Sequence, residues 1–288
     1  MRAYQVEITY DSLFPLLMVY RAAKTEKTER PNHLHDWYEF VFVHEGTGVF
    51  FIDQTFYEIK PGDLYVIPGN TIHRATPSST LPYTVTAVYF SPSILYRQRL
   101  GDSMDLLDPF KQCKDSGIYN FTFNEREQEV MVGWLENIHN ELTAQQTGYR
   151  LASLLGLQQI LLHLGRLGSR ILRQPNRQQE AAGPAWMKEI MAYIDANYLR
   201  KLTLEHLAQQ ALVSPSYFSR VFKQMTGMTL TVYLNNKRFI KAKERLLETD
   251  DSIARIAEAC GFTSLPNFYR SFKAYCGTTP ADYRAKSS

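Results

Sequence analysis

The segment HLHDWYEF, residues 33–40, sets His33, His35, Trp37 and Glu39 at alternate positions. In an extended strand alternate side chains leave the same face. Two imidazoles, an indole and a carboxylate are therefore expected side by side. A third imidazole, His73, closes the segment GDLYVIPGNTIH. Three imidazoles and one carboxylate are a donor set for Fe, Mn, Ni or Zn, with positions left open for a further ligand. The same groups can hydrogen-bond the rim of a sugar whose C–H face stacks on Trp37. They can equally be satisfied by backbone carbonyls and hold nothing, with Trp37 in the core. Spacing alone leaves all three open. Other chemistry finds no support: there is no nucleophile–base arrangement, no phosphate loop, and no carboxylate pair placed for acid–base work.

The elements that must position these groups are strands. Residues 5–90 hold short runs rich in Val, Phe, Tyr and Ile, broken by the turn signals EGTG, PGD and PGN. Many short strands at such spacing predict a small barrel or sandwich. From about 124 to 172 the period changes to that of helices, with Leu151, Leu154, Leu155, Leu161 and Leu162 as candidate core or interface residues. GSRILRQPNRQQEAAGP, 168–184, is polar and Pro/Gly-containing and marks a boundary; beyond it the chain is almost wholly helical.

A chain of 288 residues accommodates roughly two domains. No run of about 18 apolar residues is present, so no membrane span is expected. The first residues lack the apolar core of a leader peptide. Three scattered cysteines fit a reducing, cytoplasmic setting and argue against a disulfide framework or a thiolate zinc site. Net charge is divided: residues 184–288 carry +6 and residues 1–183 carry −3. Only the back part is suited to a polyanion.

The back part contains a repeat. LEHLAQQALVSPSYFSRVFKQMTGMT (204–229) resembles IARIAEACGFTSLPNFYRSFKAYCGTT (253–279). Phe218, Arg220, Phe222, Lys223, Gly227 and Thr229 recur 50 residues on as Phe268, Arg270, Phe272, Lys273, Gly277 and Thr279. Each copy has the form of a helix-turn-helix. Phe218, Val221, Phe222 and Met225 make one apolar stripe; Phe268, Phe272 and Tyr275 make the other. Arg220 and Arg270 stand two residues past the first Phe, about 200° round the helix. Ser216, Ser219 and Lys223 share the outer face in one copy, Asn267 and Lys273 in the other. A helical bundle with a solvated charged face would show one such pattern; two with the same polarity point to recognition helices for double-stranded DNA. The intervening TLTVYLNNKRFIKAKERLLE has no Gly or Pro and spans about 30 Å as a helix, close to the roughly 34 Å between successive major grooves.

On LTLEHLAQQALVSPSYFSRVFK, IARIAEACGF and FYRSFKAYCGTTPADYR, the back 105 residues resemble the DNA-binding domain of AraC/XylS-type transcription regulators. The front resembles that family's effector domain, a cupin-like β-barrel followed by dimerising helices. His33-x-His35-x3-Glu39-x6-Gly46 resembles the first cupin motif, and Gly62–His73 the second, with the inner glycine at Gly69. The resemblance implies an α+β chain with three parts: a cupin-like effector and dimerisation domain (1–172), a linker (173–183) and a double helix-turn-helix domain (184–288). Base contacts would fall on Ser216, Ser219, Arg220, Asn267 and Arg270, with Lys223 and Lys273 on phosphates. Pro266 departs from the family, which often carries a polar residue there. The implied protein is not an enzyme but an activator. It would respond to a small molecule, a sugar or related carbon source, held by His33, His35, Trp37, Glu39 and His73 with no metal. It would act as a homodimer, with RNA polymerase as a further partner. The alternative is a cupin metalloprotein or enzyme fused to a DNA-binding tail.

Overall fold

The structure is a computed structural model that describes residues 4–5, 11, 13–25, 33–78, 81–95, 104–171 and 184–285. The expected linker at 173–183 lies outside the described residues. In chain order the elements are β1 (Tyr4–Gln5), β2 (Leu16–Lys24), β3 (His33–Leu34), β4 (Tyr38–Glu45), β5 (Gly48–Ile52), β6 (Thr55–Ile59), β7 (Asp63–Ile67), β8 (His73–Pro77), β9 (Tyr83–Phe90), α1 (Asp108–Ser116), β10 (Asn120–Thr122), α2 (Glu125–Ala144), α3 (Tyr149–Ile171), α4 (Ala185–Asn197), α5 (Leu204–Gln210), α6 (Pro215–Thr226), α7 (Leu230–Glu248), α8 (Ile253–Ala259), α9 (Leu265–Cys276) and α10 (Pro280–Ala285). The α+β class expected from the sequence is what the chain adopts.

Two compact units emerge. One comprises Glu7–Arg30 and His35–Ala182; the other comprises Gly183–Ser288 together with Met1–Val6 and Pro31–Leu34. The second unit thus takes in β1 and β3, which pair in parallel through Tyr4↔His33 and Gln5↔Leu34. The front unit was expected to begin at residue 1, and these two short segments depart from that boundary.

In the front unit the antiparallel order β10-β7-β4-β9-β2 makes one sheet, and β8-β5-β6 runs antiparallel in the other. Every residue of β7 is buried. Phe40, Phe42, Leu64 and Val66 from the first sheet share one core with Phe50, Ile52, Tyr57 and Ile59 from the second. Sheet faces must be covered, and α2 and α3 extend the same core with Met131, Leu135, Ile138, Leu157, Ile160, Leu161 and Leu164. The expected leucines divide: Leu161 is fully buried, Leu154 packs partly against the core, and Leu151 and Leu155 are 62% and 56% exposed. Among the described residues no helix is long and apolar enough to cross a membrane.

The back unit is the repeat made solid. Thr203, Ser214, Thr229, Ser252 and Ser264 cap α5 to α9, each side-chain oxygen accepting from an amide three residues on. Gly227 and Gly277 end α6 and α9 in left-handed conformation. Leu207 and Ala208, and their counterparts Ile256 and Ala257, are buried where each first helix meets its second. The turns share one hydrogen-bond pattern. Val213 N donates to Ala208 O and Leu212 N to Gln209 O; Phe262 N donates to Ala257 O and Gly261 N to Glu258 O. This is the Schellman arrangement, and it needs a left-handed residue after the helix. The second copy uses Gly261 at φ 80°, the first Leu212 at φ 56°.

These two positions differ in surroundings. A Cβ on Gly261 would collide with the carbonyl oxygen of Leu199, whereas the Leu212 side chain is 92% exposed. Gly261→Ala is therefore expected to lose more than about 1 kcal/mol of stability, through both conformation and clash. Leu212→Gly is expected to be neutral or to gain up to about 1 kcal/mol, as left-handed strain is exchanged for chain entropy. Urea unfolding followed by helical circular dichroism checks both; equal losses at the two sites would contradict the assignment.

Candidate functional site

HLHDWYEF is not one strand. Leu34 ends β3, Asp36 and Trp37 form a bend, and β4 starts at Tyr38. The cause lies in the β7–β8 turn. Asn70 N donates to His35 O at 2.7 Å, and a Cβ on Gly69 would run into Asp36 O. The backbone of 35–36 is bent around that turn, and glycine at 69 lets it come close. The expected shared face is thus replaced by a convergence across the bend.

Glu39 of β4, which stands opposite Ile67 and Tyr89, meets His73, the first residue of β8, and His35 from before the bend. His35 Nε2 lies 3.0 Å from Glu39 Oε2, and His73 Nε2 lies 3.2 Å from the same oxygen. The two rings meet edge to face at 5.1 Å. All three residues are at most 3% exposed. The side chain of His33 lies outside the described residues. Trp37 is buried, and its carbonyl oxygen accepts from His35 Nδ1 at 2.8 Å. Likewise the Thr71 carbonyl oxygen lies 2.9 Å from His73 Nδ1.

These contacts assign the protons. A carbonyl oxygen only accepts, so each Nδ1 carries hydrogen and donates. Each Nε2 of a neutral ring then presents a lone pair to Glu39. Burial raises the Glu39 carboxyl, but the hydrogen bonds and charges that His35 and His73 supply when protonated outweigh it and hold the group below the usual carboxylate range. An ionised carboxylate facing two lone pairs is repelled. The contacts become attractive when the rings are protonated or when a cation stands between the three groups. Among the described residues this is the group whose ligand atoms, all within 4.8 Å of one another, could hold a metal ion.

A second feature of this unit escapes the sequence. Arg21, Phe42, His44, Glu125, Gln128 and Glu129 line a cavity of about 460 Å³ beside the start of α2. His44 Nε2 lies 2.8 Å from Thr86 Oγ1, which also accepts from the Arg21 amide at 3.1 Å. Burial, and then the charge of Arg21, push the His44 imidazole down to about 4. No spacing rule marks these residues, since they come from β2, β4 and α2. Cys113 and Cys260 are buried and their thiols are pushed up to about 12 and about 11, so neither is a poised thiolate.

In the back unit Phe218, Phe222, Phe268 and Phe272 are at most 1% exposed. Ser216, Ser219, Arg220 and Lys223 on α6, and Asn267, Arg270 and Lys273 on α9, are all exposed. Pro215 and Pro266 occupy first-turn positions of α6 and α9, where a missing amide hydrogen costs nothing. Met225 and Tyr275 complete the apolar stripes but are only partly buried. The sequence missed Tyr217. The guanidinium of Arg220 lies over its ring at 5.3 Å. The signal was available, because Tyr217 stands 50 residues before Asn267.

Comparison with known proteins gives a consistent picture. Residues 16–161 match the family model of the AraC-like ligand binding domain, and residues 207–286 match a helix-turn-helix domain. The HTH-type transcriptional activator RhaS of Citrobacter koseri is 26% identical over 263 residues, 88% of this chain and 87% of the relative. RhaS of Pectobacterium atrosepticum is 27% identical over 274 residues, 91% of this chain and 90% of the relative. The bifunctional transcriptional activator/DNA repair enzyme AdaA of Bacillus subtilis is 40% identical over 102 residues, 35% of this chain and 48% of that protein.

Two outcomes follow from the side-chain geometry. With a lone pair on each Nε2, Glu39→Gln removes the buried charge and lets a side-chain amide N–H donate to a ring, so it is expected to be neutral or to stabilise by about 1–2 kcal/mol, while Glu39→Ala, which leaves a gap among buried groups, is expected to be less stable than Glu39→Gln. Thermal unfolding of the full chain measures both. His44 resists protonation in the folded state, so its stabilising contribution is complete above about pH 6.5 and is lost as pH falls toward about 4. Histidine ring resonances should titrate near the lower value, and His44→Gln should flatten that part of the stability curve.

Proposed function

The chain belongs to the AraC family of transcription regulators, and we propose that within it the protein is a one-component activator. In this proposal a small polar molecule bound in the front unit alters how the back unit engages DNA. The observation that carries it is the pair of capped helices, α6 and α9. Each is anchored by two buried phenylalanines and turns an arginine and a lysine outward. Outward arginine suits bidentate contact with guanine, and lysine suits phosphate. Activation is supported by the likeness to RhaS, a transcriptional activator; RNA polymerase is the partner the family implies.

His35, Trp37, Glu39 and His73 supply donors, acceptors and an aromatic plane for a sugar or related carbon source. All four are less than a tenth exposed, so the effector reaches them from inside the domain. Leu151 and Leu155, one turn apart on the open side of α3, suit pairing with a second copy.

A second occupant is favoured by the proton assignment. Two Nε2 lone pairs and an ionised carboxylate, with each opposite ring nitrogen held by a carbonyl, fit a divalent metal. His35, Glu39 and His73 would hold it. Its charge would relieve the repulsion among these buried groups.

Thermal unfolding of the full chain against sugars and sugar acids, with and without chelator, separates the two. An effector at 100 times its Kd adds about 2.7 kcal/mol. A shift that survives chelator supports the metal-free sensor; one abolished by chelator supports the metal. For the back unit, Arg220→Ala and Arg270→Ala should each cost about 1–3 kcal/mol on a selected operator. Lys223→Ala and Lys273→Ala should weaken all sequences alike and each lower the salt slope by about one. Unchanged operator selectivity in the arginine variants would refute base contact by these helices.

A further inference from the structure

The two outward arginines are not free-standing. In α6, Tyr217 stands three residues before Arg220, and the guanidinium lies over its ring. The Tyr217 ring leans in turn on Trp186 of α4, with centroids 6.4 Å apart. In α9 the equivalent position is Asn267, whose Oδ1 accepts from Arg270 Nη2 at 3.1 Å and from Ser271 Oγ at 3.4 Å. One helical position is thus filled by unlike chemistry with a like result: an aromatic face holds one arginine and an amide oxygen the other. The amide nitrogens of both holders are themselves fixed, Tyr217 N by the Ser214 cap and Asn267 N by the Ser264 cap.

The geometry points to Tyr217 and Asn267 as positioning residues that set the side-chain conformation of Arg220 and Arg270, and so determine how sharply each helix selects guanine. An unrestrained arginine samples many rotamers and must give up that freedom on docking. A guanidinium already held by a neighbour loses less freedom when its remaining N–H groups meet the two acceptors of guanine, N7 and O6. In this role Asn267 does not read adenine. Bidentate pairing with adenine needs the amide oxygen as well as the nitrogen, and the oxygen is engaged by Arg270 and Ser271. This inference rests on the DNA-binding role of α6 and α9.

The test uses the full-length protein and a randomised duplex library, from which the wild-type chain selects its operator. Binding is then measured to that operator and to its single-base variants. Arg220→Ala and Arg270→Ala locate the two guanines, each losing about tenfold or more of discrimination at one position. Tyr217→Ala should lower discrimination about two- to fivefold at the Arg220 guanine alone, and Tyr217→Phe should restore it. Asn267→Ala should lower it about two- to tenfold at the Arg270 guanine alone, and Asn267→Asp, which keeps an acceptor, should restore the ratio while weakening every sequence together. Several results would overturn the inference. Tyr217→Phe weakening all sequences equally would make Tyr217 a phosphate contact. A new base preference in Asn267→Asp would make Asn267 a direct reader. Alanine variants that keep full discrimination at the mapped guanines would mean that the arginines need no holder. Failure of the arginine variants to change selectivity is a separate result, which would remove the base-reading role itself.

Discussion

Everything the back unit can do depends on which side of two helices is kept dry. Phe218 and Phe222, and again Phe268 and Phe272, are removed from water almost completely. Burying such rings contributes about 2 kcal/mol or more each, far beyond any single surface contact. A helix whose apolar stripe is fixed so firmly has no freedom left in rotation about its axis. Residues about 200° from the stripe must then face outward. The small Ala208 and Ala257 let the helices of each pair approach closely, and the serine and threonine caps fix where each helix starts. Exposure of Arg220 and Arg270 is therefore a result of packing, with no demand on the arginines themselves.

The front unit solves a different problem. Its core is apolar on both sheets, yet three ionisable groups from separate elements lie inside it. Each is costly to desolvate; backbone carbonyls satisfy the outer ring nitrogens, while the inner ring nitrogens and the carboxylate face one another. Glu39 is the shared member. It brings β4 of one sheet against β8 of the other, with one carboxylate oxygen 3.0 Å and 3.2 Å from the two Nε2 atoms. A site of this kind is sensitive to any added charge.

The back unit was largely legible because its signals are local. Helical period, Ser/Thr caps, C-terminal glycines and the 50-residue recurrence all lie within short windows, and the structure obeys them. The front site was legible in its members but not in its geometry. His35, Glu39 and His73 were named from their spacing, yet the expected straight strand is broken at Asp36–Trp37. The break comes from a turn about 30 residues away, where Gly69 and Asn70 contact the 35–36 backbone, and no local pattern announces it. The short helix α1 and strand β10 went unread for a related reason: at nine and three residues they are too brief to display a period. Tyr217 is the opposite case, since the repeat aligns it with Asn267 and so places it on the same outer face.

The helix α7 carries Tyr233 into contact with Phe222 of the first pair and Phe239 into the core of the second. Arg238 on the same helix donates to the carbonyl oxygens of Tyr198 and Arg200, and Lys237 pairs with Asp195. An uninterrupted helix of 19 residues joins the pairs as a rod rather than a tether. Along such a rod distance and azimuth cannot vary independently: one inserted residue adds about 1.5 Å and turns everything beyond it by about 100°. Insertions that a loop would absorb would here swing one outward arginine round to another side of the unit. The phase between the two outward faces is thereby written into the protein as an integer number of residues.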